Sequence, residues 1–280
     1  MSRIPFSQVL KNAEIDLLQE YNRLYGLFYI QRIMNSTGLN TTLREYCNMS
    51  FSSVPYRKTC LSLDDFDDSF NYHFERVPSN FDIDYLVTFC EYSFNLAFSL
   101  YSQSNGIVSP MMNVSQAMQM YLQQVLKVID SIGYMPNSND GVTDFVPKDQ
   151  AAISVSEIID PTLSYKVIEY NHHSMKGDLE RKKVVLLSLA DKLEGQEKRL
   201  KSINSSLGDN LFFLFNNLNL RHNNADMESK SYKSYIASMK DEEIEQWYDD
   251  TYQMCLLAFL EIDNEDRKAR IKQLKQDVQS

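Results

Sequence analysis

An all-α helical bundle is the fold that this sequence predicts, and three observations predict it. Glycine and proline number eight and seven in 280 residues, too few to bound the many short strands of a β-rich chain. Apolar residues recur at three- and four-residue spacing over several long stretches, which lines them along one face of a helix. The chain is 43% apolar and 12% aromatic, enough to build a core and unlike the composition of a disordered chain. Its length accommodates one large core or two modest ones.

The elements follow in order. Between residues 8 and 34, Leu10, Ala13, Leu17, Tyr21, Leu24 and Phe28 make one stripe and predict a helix, which the run NSTGLNTT (35–42) ends. Periodicity then dissolves over 35–80, where a loop with short helical turns is expected. Within it, Asp64, Asp65, Asp67 and Asp68 lack the glycine and glutamate of an EF-hand loop and read as a solvated acidic loop. Ser79 and Asp82, at capping-box spacing, open a helix striped by Leu86, Phe89, Cys90, Phe94, Ala97 and Leu100. A second long helix covers 113–132, with Val114, Met118, Tyr121, Val125 and Ile129 on one face, and stops at Gly133.

Two prolines, two glycines and the turn dipeptide Asp140-Gly141 fall within 133–160. This segment is the expected boundary: an N-terminal helical region at 1–136, a linker or short hairpin at 137–160, and a C-terminal helical bundle at 161–280. Asp160-Pro161 supplies a cap and a proline at the first helical position. Leu179, Leu186, Leu193, Leu200 and Leu207 then repeat every seven residues, a helix-packing face that also offers a route to a dimer. A short apolar helix follows. The helix at 241–262 carries Ile244, Trp247, Tyr248, Thr251, Cys255 and Phe259, is apolar nearly all round in its second half, and should be central. Asn264 is expected to cap a last, charged and exposed helix.

Several function classes are disfavoured. Cys47, Cys60, Cys90 and Cys255 form no C-x-x-C pair and read as free thiols, which fits a reducing, cytoplasmic setting. The first ten residues lack the apolar stretch of a signal peptide, and no window approaches the length of a membrane span, so no membrane partner is expected. Net charge is −10, with 10 basic against 18 acidic residues in 1–160 and 18 against 20 in 161–280. A broad duplex-coating role lacks its basic footprint, whereas a local phosphate site in the second half does not need one. Phosphate-loop, dinucleotide and zinc-protease motifs are absent from the sequence. His172 and His173, placed near a helix end, point about 100° apart if helical and would not share a metal.

The stretch LFNNLNLRHNNADM, 214–227, is the candidate site. It lies where an apolar helix stops, so its polar groups have a structural use: Arg221 can bond the last carbonyls of that helix and Asn223 or Asn224 can take a left-handed cap. The same groups suit metal-independent phosphodiester cleavage. His222 would take the proton of an RNA 2′-hydroxyl, Arg221 would hold the phosphate, and Asn223 and Asn224 would position both. A two-fold dimer would bring two such tetrads together and supply the acid.

The tetrad, following a Leu-rich helix and preceding a Trp/Tyr helix, resembles the HEPN superfamily of small helical domains, many of them RNA-cleaving toxins and abortive-infection proteins of prokaryotes. The resemblance covers residues 161–262 and rests on NNLNLRHNN and helix order. Arg221 matches the family arginine, whereas His222 stands at the adjacent polar position and matches the family histidine only in type. What the resemblance implies is an RNA-cleaving or RNA-binding protein of a toxin or phage-defence setting, with Arg221 and His222 catalytic, Asn223 and Asn224 positioning the substrate, and no metal or cofactor. The alternative expectation is a non-enzymatic dimerisation or partner-binding bundle, acting through helical faces, in which RHNN is a structural junction.

Overall fold

A computed structural model describes residues 15–34, 38, 40–104 and 112–279. Helices account for 68% of the described residues, beside two small two-stranded sheets, so the fold is all-α. The chain divides into two compact units, residues 1–145 and 146–280.

In the first unit, α1 (Leu17–Tyr25) is capped by Asp16, which accepts from the Gln19 amide, and it widens into a π turn over Gly26–Ile30. The expected helix therefore ends at Ile30, while residues 8–14 lie outside the described ones. A short pairing of β1 (Ile33–Met34) with β2 (Asn40–Thr41) leads to α2 (Leu43–Met49), where Thr42 and Glu45 form a capping box. The acidic run is not a loop. It forms α3 (Leu63–Phe70), because Ser62 caps it and Leu63 is fully buried beneath it. The long pair α4 (Ile83–Ser104) and α5 (Met112–Ser131) carries the core, with Phe89, Cys90, Tyr121 and Val125 all but fully buried. Asp82, not Ser79, caps α4: its carboxylate accepts from the Tyr85 amide at 2.8 Å.

The hairpin of β3 (Tyr134–Asn139) and β4 (Val142–Pro147) turns at Asp140-Gly141, with φ of 49° and 80°. Two positive φ values in succession are what a type I′ turn demands, and Asp-Gly tolerates them. Side chains of α4 hold the hairpin: the Asn95 amide exchanges bonds of 2.7 and 2.8 Å with Thr143, and Glu91 accepts from the Phe145 amide at 2.6 Å.

In the second unit, α6 (Gln150–Ile158) occupies part of what reads as linker, capped by Asp149 and burying Ala152 and Val155. After α7 (Pro161–Glu169), the heptad stretch is not one helix. Gly195 and Asn204 divide it into α8 (Leu179–Glu194), α9 (Glu197–Ile203) and α10 (Ser205–Asn217). Leu186, Leu193 and Leu200 are fully buried within this unit, so the expected dimerising face is used internally. A Cβ on Gly208 would come within 2.7 Å of the Lys201 side chain, which records how closely α9 and α10 approach. After α11 (Ser234–Ala237), α12 runs unbroken from Asp241 to Gln279. Its Tyr252, Cys255, Leu256 and Ala258 form the core against α6, α8, α9 and α10. Asn264 lies inside this helix and caps nothing, since no glycine or proline interrupts the chain there and the Asp263–Arg267 and Glu265–Lys268 pairs bridge the site.

Candidate functional site

The RHNN junction is built from the end of α10. Leu218 closes that helix by donating to the Leu214 carbonyl, and Asn219 adopts φ of 54°. The left-handed residue is thus Asn219, ahead of the expected Asn223 or Asn224, because the chain must turn before the polar run begins. The Arg221 amide then reaches back to the Phe215 carbonyl at 3.1 Å.

Arg221 does not bond the carbonyls of α10. Its guanidinium donates to the Ala190 carbonyl in the last turn of α8 at 2.9 Å and lies 3.4 Å from the Glu194 carboxylate. It also rests over the rings of Phe215 and Phe212, at 5.1 and 5.7 Å. A cation beside the C-terminal carbonyls of α8 complements that helix's dipole, and the two rings stabilise it further. Only 16% of the side chain is exposed.

Asn224 is buried and holds the loop that joins α10 to α11. Its side-chain oxygen accepts from the Asn219 amide at 3.0 Å, its amide donates to the Ser231 carbonyl at 2.9 Å, and its own carbonyl accepts from Lys233 at 2.8 Å. Asn223 is exposed and donates to Asp226. His222 is exposed, and its backbone carbonyl accepts from the Asn224 amide at 2.9 Å. Among the described residues, no hydrogen bond joins the side chains of these four to one another. Arg221 is drawn under α8, Asn224 into the loop, and His222 and Asn223 outward.

His172 and His173 are not α-helical, which removes the premise that their rings diverge. They sit at the start of a one-turn 3₁₀ segment, their ring centroids are 4.3 Å apart, and His172 lies 2.7 Å from the Ser174 hydroxyl.

A second constellation, in the first unit, escaped the sequence. Asp67 is buried on α3, where it accepts from Arg44 at 2.6 Å and from the Tyr92 hydroxyl at 2.9 and 3.0 Å. Arg44 also bonds Asp64 at 2.7 Å. Arg44, Asp64 and Asp67 border an open cavity of about 580 Å³ together with Tyr29, Asn48 and His73. Burial pushes the Asp67 carboxyl above its ordinary value, against the opposing pull of Arg44 and Tyr92. Only Asp67, one of four nearby aspartates, faces inward, and its four-residue spacing from the buried Leu63 is the available signal.

In the second unit, Lys182 interrupts the apolar row of α8 yet is buried. Its ammonium bonds Glu245 at 2.8 Å and Asp249 at 2.6 Å on α12 and lies 5.4 Å from the Tyr170 ring centre. Asp249 accepts from the Tyr170 hydroxyl as well. The Glu245 carboxyl is lowered, first by the Gly177 amide it accepts from and then by Lys182.

Neither a family model, nor a curated protein, nor a solved structure matches this chain. Among the described residues, no helix is long and apolar enough to cross a membrane.

Proposed function

We propose that this chain is a non-enzymatic helical protein that works by docking a helix face on a protein partner, and that RHNN locks a junction in its second unit. One observation carries the reading: Arg221 and Asn224, the two groups an RNA-cleaving site would need for phosphate clamping and positioning, are both engaged in bonds that hold α8, α10 and the following loop. A guanidinium that left the Ala190 carbonyl and the two phenylalanine rings to reach a phosphate would give up those contacts first.

RNA cleavage in a HEPN-like, abortive-infection setting is the second reading, and the exposure of His222 favours it, because a general base must be open to its substrate. The two readings separate in one experiment. Purified protein is incubated with several RNA substrates in EDTA beside a His222→Ala variant, with folding of both checked by circular dichroism. No cleavage by the wild type supports docking. Cleavage that disappears in a folded His222→Ala variant overturns it and moves the chemistry to the junction.

A further inference from the structure

At the start of the last third of α12, Asp266 pairs with Arg199 of its own unit. From Asp266 to Gln279 every described residue is exposed, a length of about 21 Å at 1.5 Å per residue. It is not simply a polar helix. Ile271, Leu274 and Val278 are 51, 61 and 77% exposed, and they continue a stripe through Leu257, itself 47% exposed, and Leu260. The spacing alternates three and four residues without a slip, with Asn264 and Arg267 as the polar steps between the two apolar ends. This is a coiled-coil seam, and single polar residues in such a seam fix register at some loss of stability.

Charge along the helix says what covers the seam. Residues 241–266 contain ten acidic and no basic side chains, whereas 267–276 contain five basic and no acidic ones. The helix dipole favours such an order only in the first and last turns, so it does not account for a reversal at residues 266 and 267. A second copy of this chain running antiparallel does. Placing a two-fold axis between residues 265 and 266, beside that reversal, sets Leu257 opposite the second copy's Leu274 and Leu260 opposite its Ile271. The same register puts Asp263 beside Arg270, twice by symmetry, while Glu261 is held in its own unit by the Asn204 amide. A parallel pair would join Asp263 to Lys268 but bring Arg270 against Lys275 of the other copy, a repulsion at the flanking positions that the antiparallel pair avoids. The intrahelical Glu265–Lys268 pair is exposed, hence weak, and in the Asp263–Arg267 pair the guanidinium is exposed and free to exchange.

We infer that α12 is an antiparallel homodimerisation helix, its seam formed by Leu257, Leu260, Ile271 and Leu274 and its direction set by the acidic and basic halves. This rests on the docking reading above and names its partner as a second copy. The test is the mass of the full chain by sedimentation equilibrium at micromolar to hundred-micromolar concentration. A dimer in the wild type that becomes a monomer in Ile271→Asp/Leu274→Asp is expected; both side chains are exposed, so the variant keeps its fold. Orientation is read by air oxidation of added cysteines. Leu257→Cys/Leu274→Cys should crosslink two chains, and Leu274→Cys alone should not. Arg270→Asp should weaken the dimer and Asp263→Arg in the same chain should restore it. A wild-type monomer throughout the range, a dimer indifferent to the two aspartates, or efficient crosslinking through residue 274 alone each overturns the inference. RNA cleavage would overturn the docking reading while leaving the dimer to stand or fall by its mass.

Discussion

Replacing Arg221 with alanine removes one charge-assisted bond to the Ala190 carbonyl and the cover over Phe212 and Phe215. A hydrogen bond to a charged group contributes about 1.5–3 kcal/mol, and a cation over a ring about 0.5–1 kcal/mol or more when desolvated. The Glu194 contact adds little, since that carboxylate is 64% exposed. Helix α8 keeps its own hydrogen bonds, so no buried carbonyl is stranded. The expected loss is about 2–4 kcal/mol, or about 4–16 °C in the melting temperature at 2–4 °C per kcal/mol. Differential scanning calorimetry of Arg221→Ala beside His222→Ala reads the difference, because His222 is exposed and its removal should stay within about 0.5 kcal/mol. Equal melting temperatures for wild type and Arg221→Ala, or a larger drop for His222→Ala, would refute the assignment of Arg221 to the junction.

Three other outcomes are expected. Asn224→Ala deprives the Asn219 amide and the Ser231 carbonyl of partners and should cost about 2–4 kcal/mol in urea unfolding; an effect below about 1 kcal/mol would mean that water replaces it. Lys182→Met should change stability by no more than about 1–2 kcal/mol, since Glu245 keeps the Gly177 amide and Asp249 keeps the Tyr170 hydroxyl, whereas Lys182→Glu should be strongly destabilising; a large loss in the methionine variant would contradict this. The Asp67 carboxyl should titrate above the ordinary value of about 3.9 by NMR. Its raised value means that the fold favours the protonated form, so its contribution is full below the ordinary range and is lost as pH rises through the raised value. Glu245, lowered, has the opposite sign: its contribution is present above the ordinary range and lost as pH falls.

How far these features could be read in advance depended on whether their cause was local. The stripes of α4 and α5 and the apolar second half of the central helix follow from side-chain period alone, and the helices lie there. Helix ends were less legible. Asp82 and Ser79 compete for one cap with the same chemistry, and only the chain entering α4 selects Asp82. The leucine heptad continued in sequence across Gly195 and Asn204 because burial against α12 imposes the same spacing on three helices as on one. Conversely, a cap was expected at Asn264 from residue type, although the helix there has nothing to stop it. At the junction, Arg221 was recognised as a structural anchor but its acceptor belongs to α8, thirty-one residues earlier, and no local pattern names a partner at that separation. Asp67 and Lys182 stand at stripe positions among charged neighbours, so their spacing shows that they face inward but does not name the Arg44, Tyr92, Glu245 and Asp249 groups that tertiary structure brings to them.

The four cysteines are all buried and free, three in the first unit and Cys255 in the second. Burial raises the Cys47 thiol to about 12 and drives those of Cys90 and Cys255 upward too, so in the folded state they present little thiolate to an alkylating reagent. Modification then waits for the chain to open. Pulsed alkylation followed by mass spectrometry of the separated peptides would therefore time the opening of each unit in one tube: Cys255 is the clock for the bundle around α12, and Cys47 and Cys90 are the clocks for the aromatic core. The protein carries its own pair of internal stopwatches, with no label to be engineered.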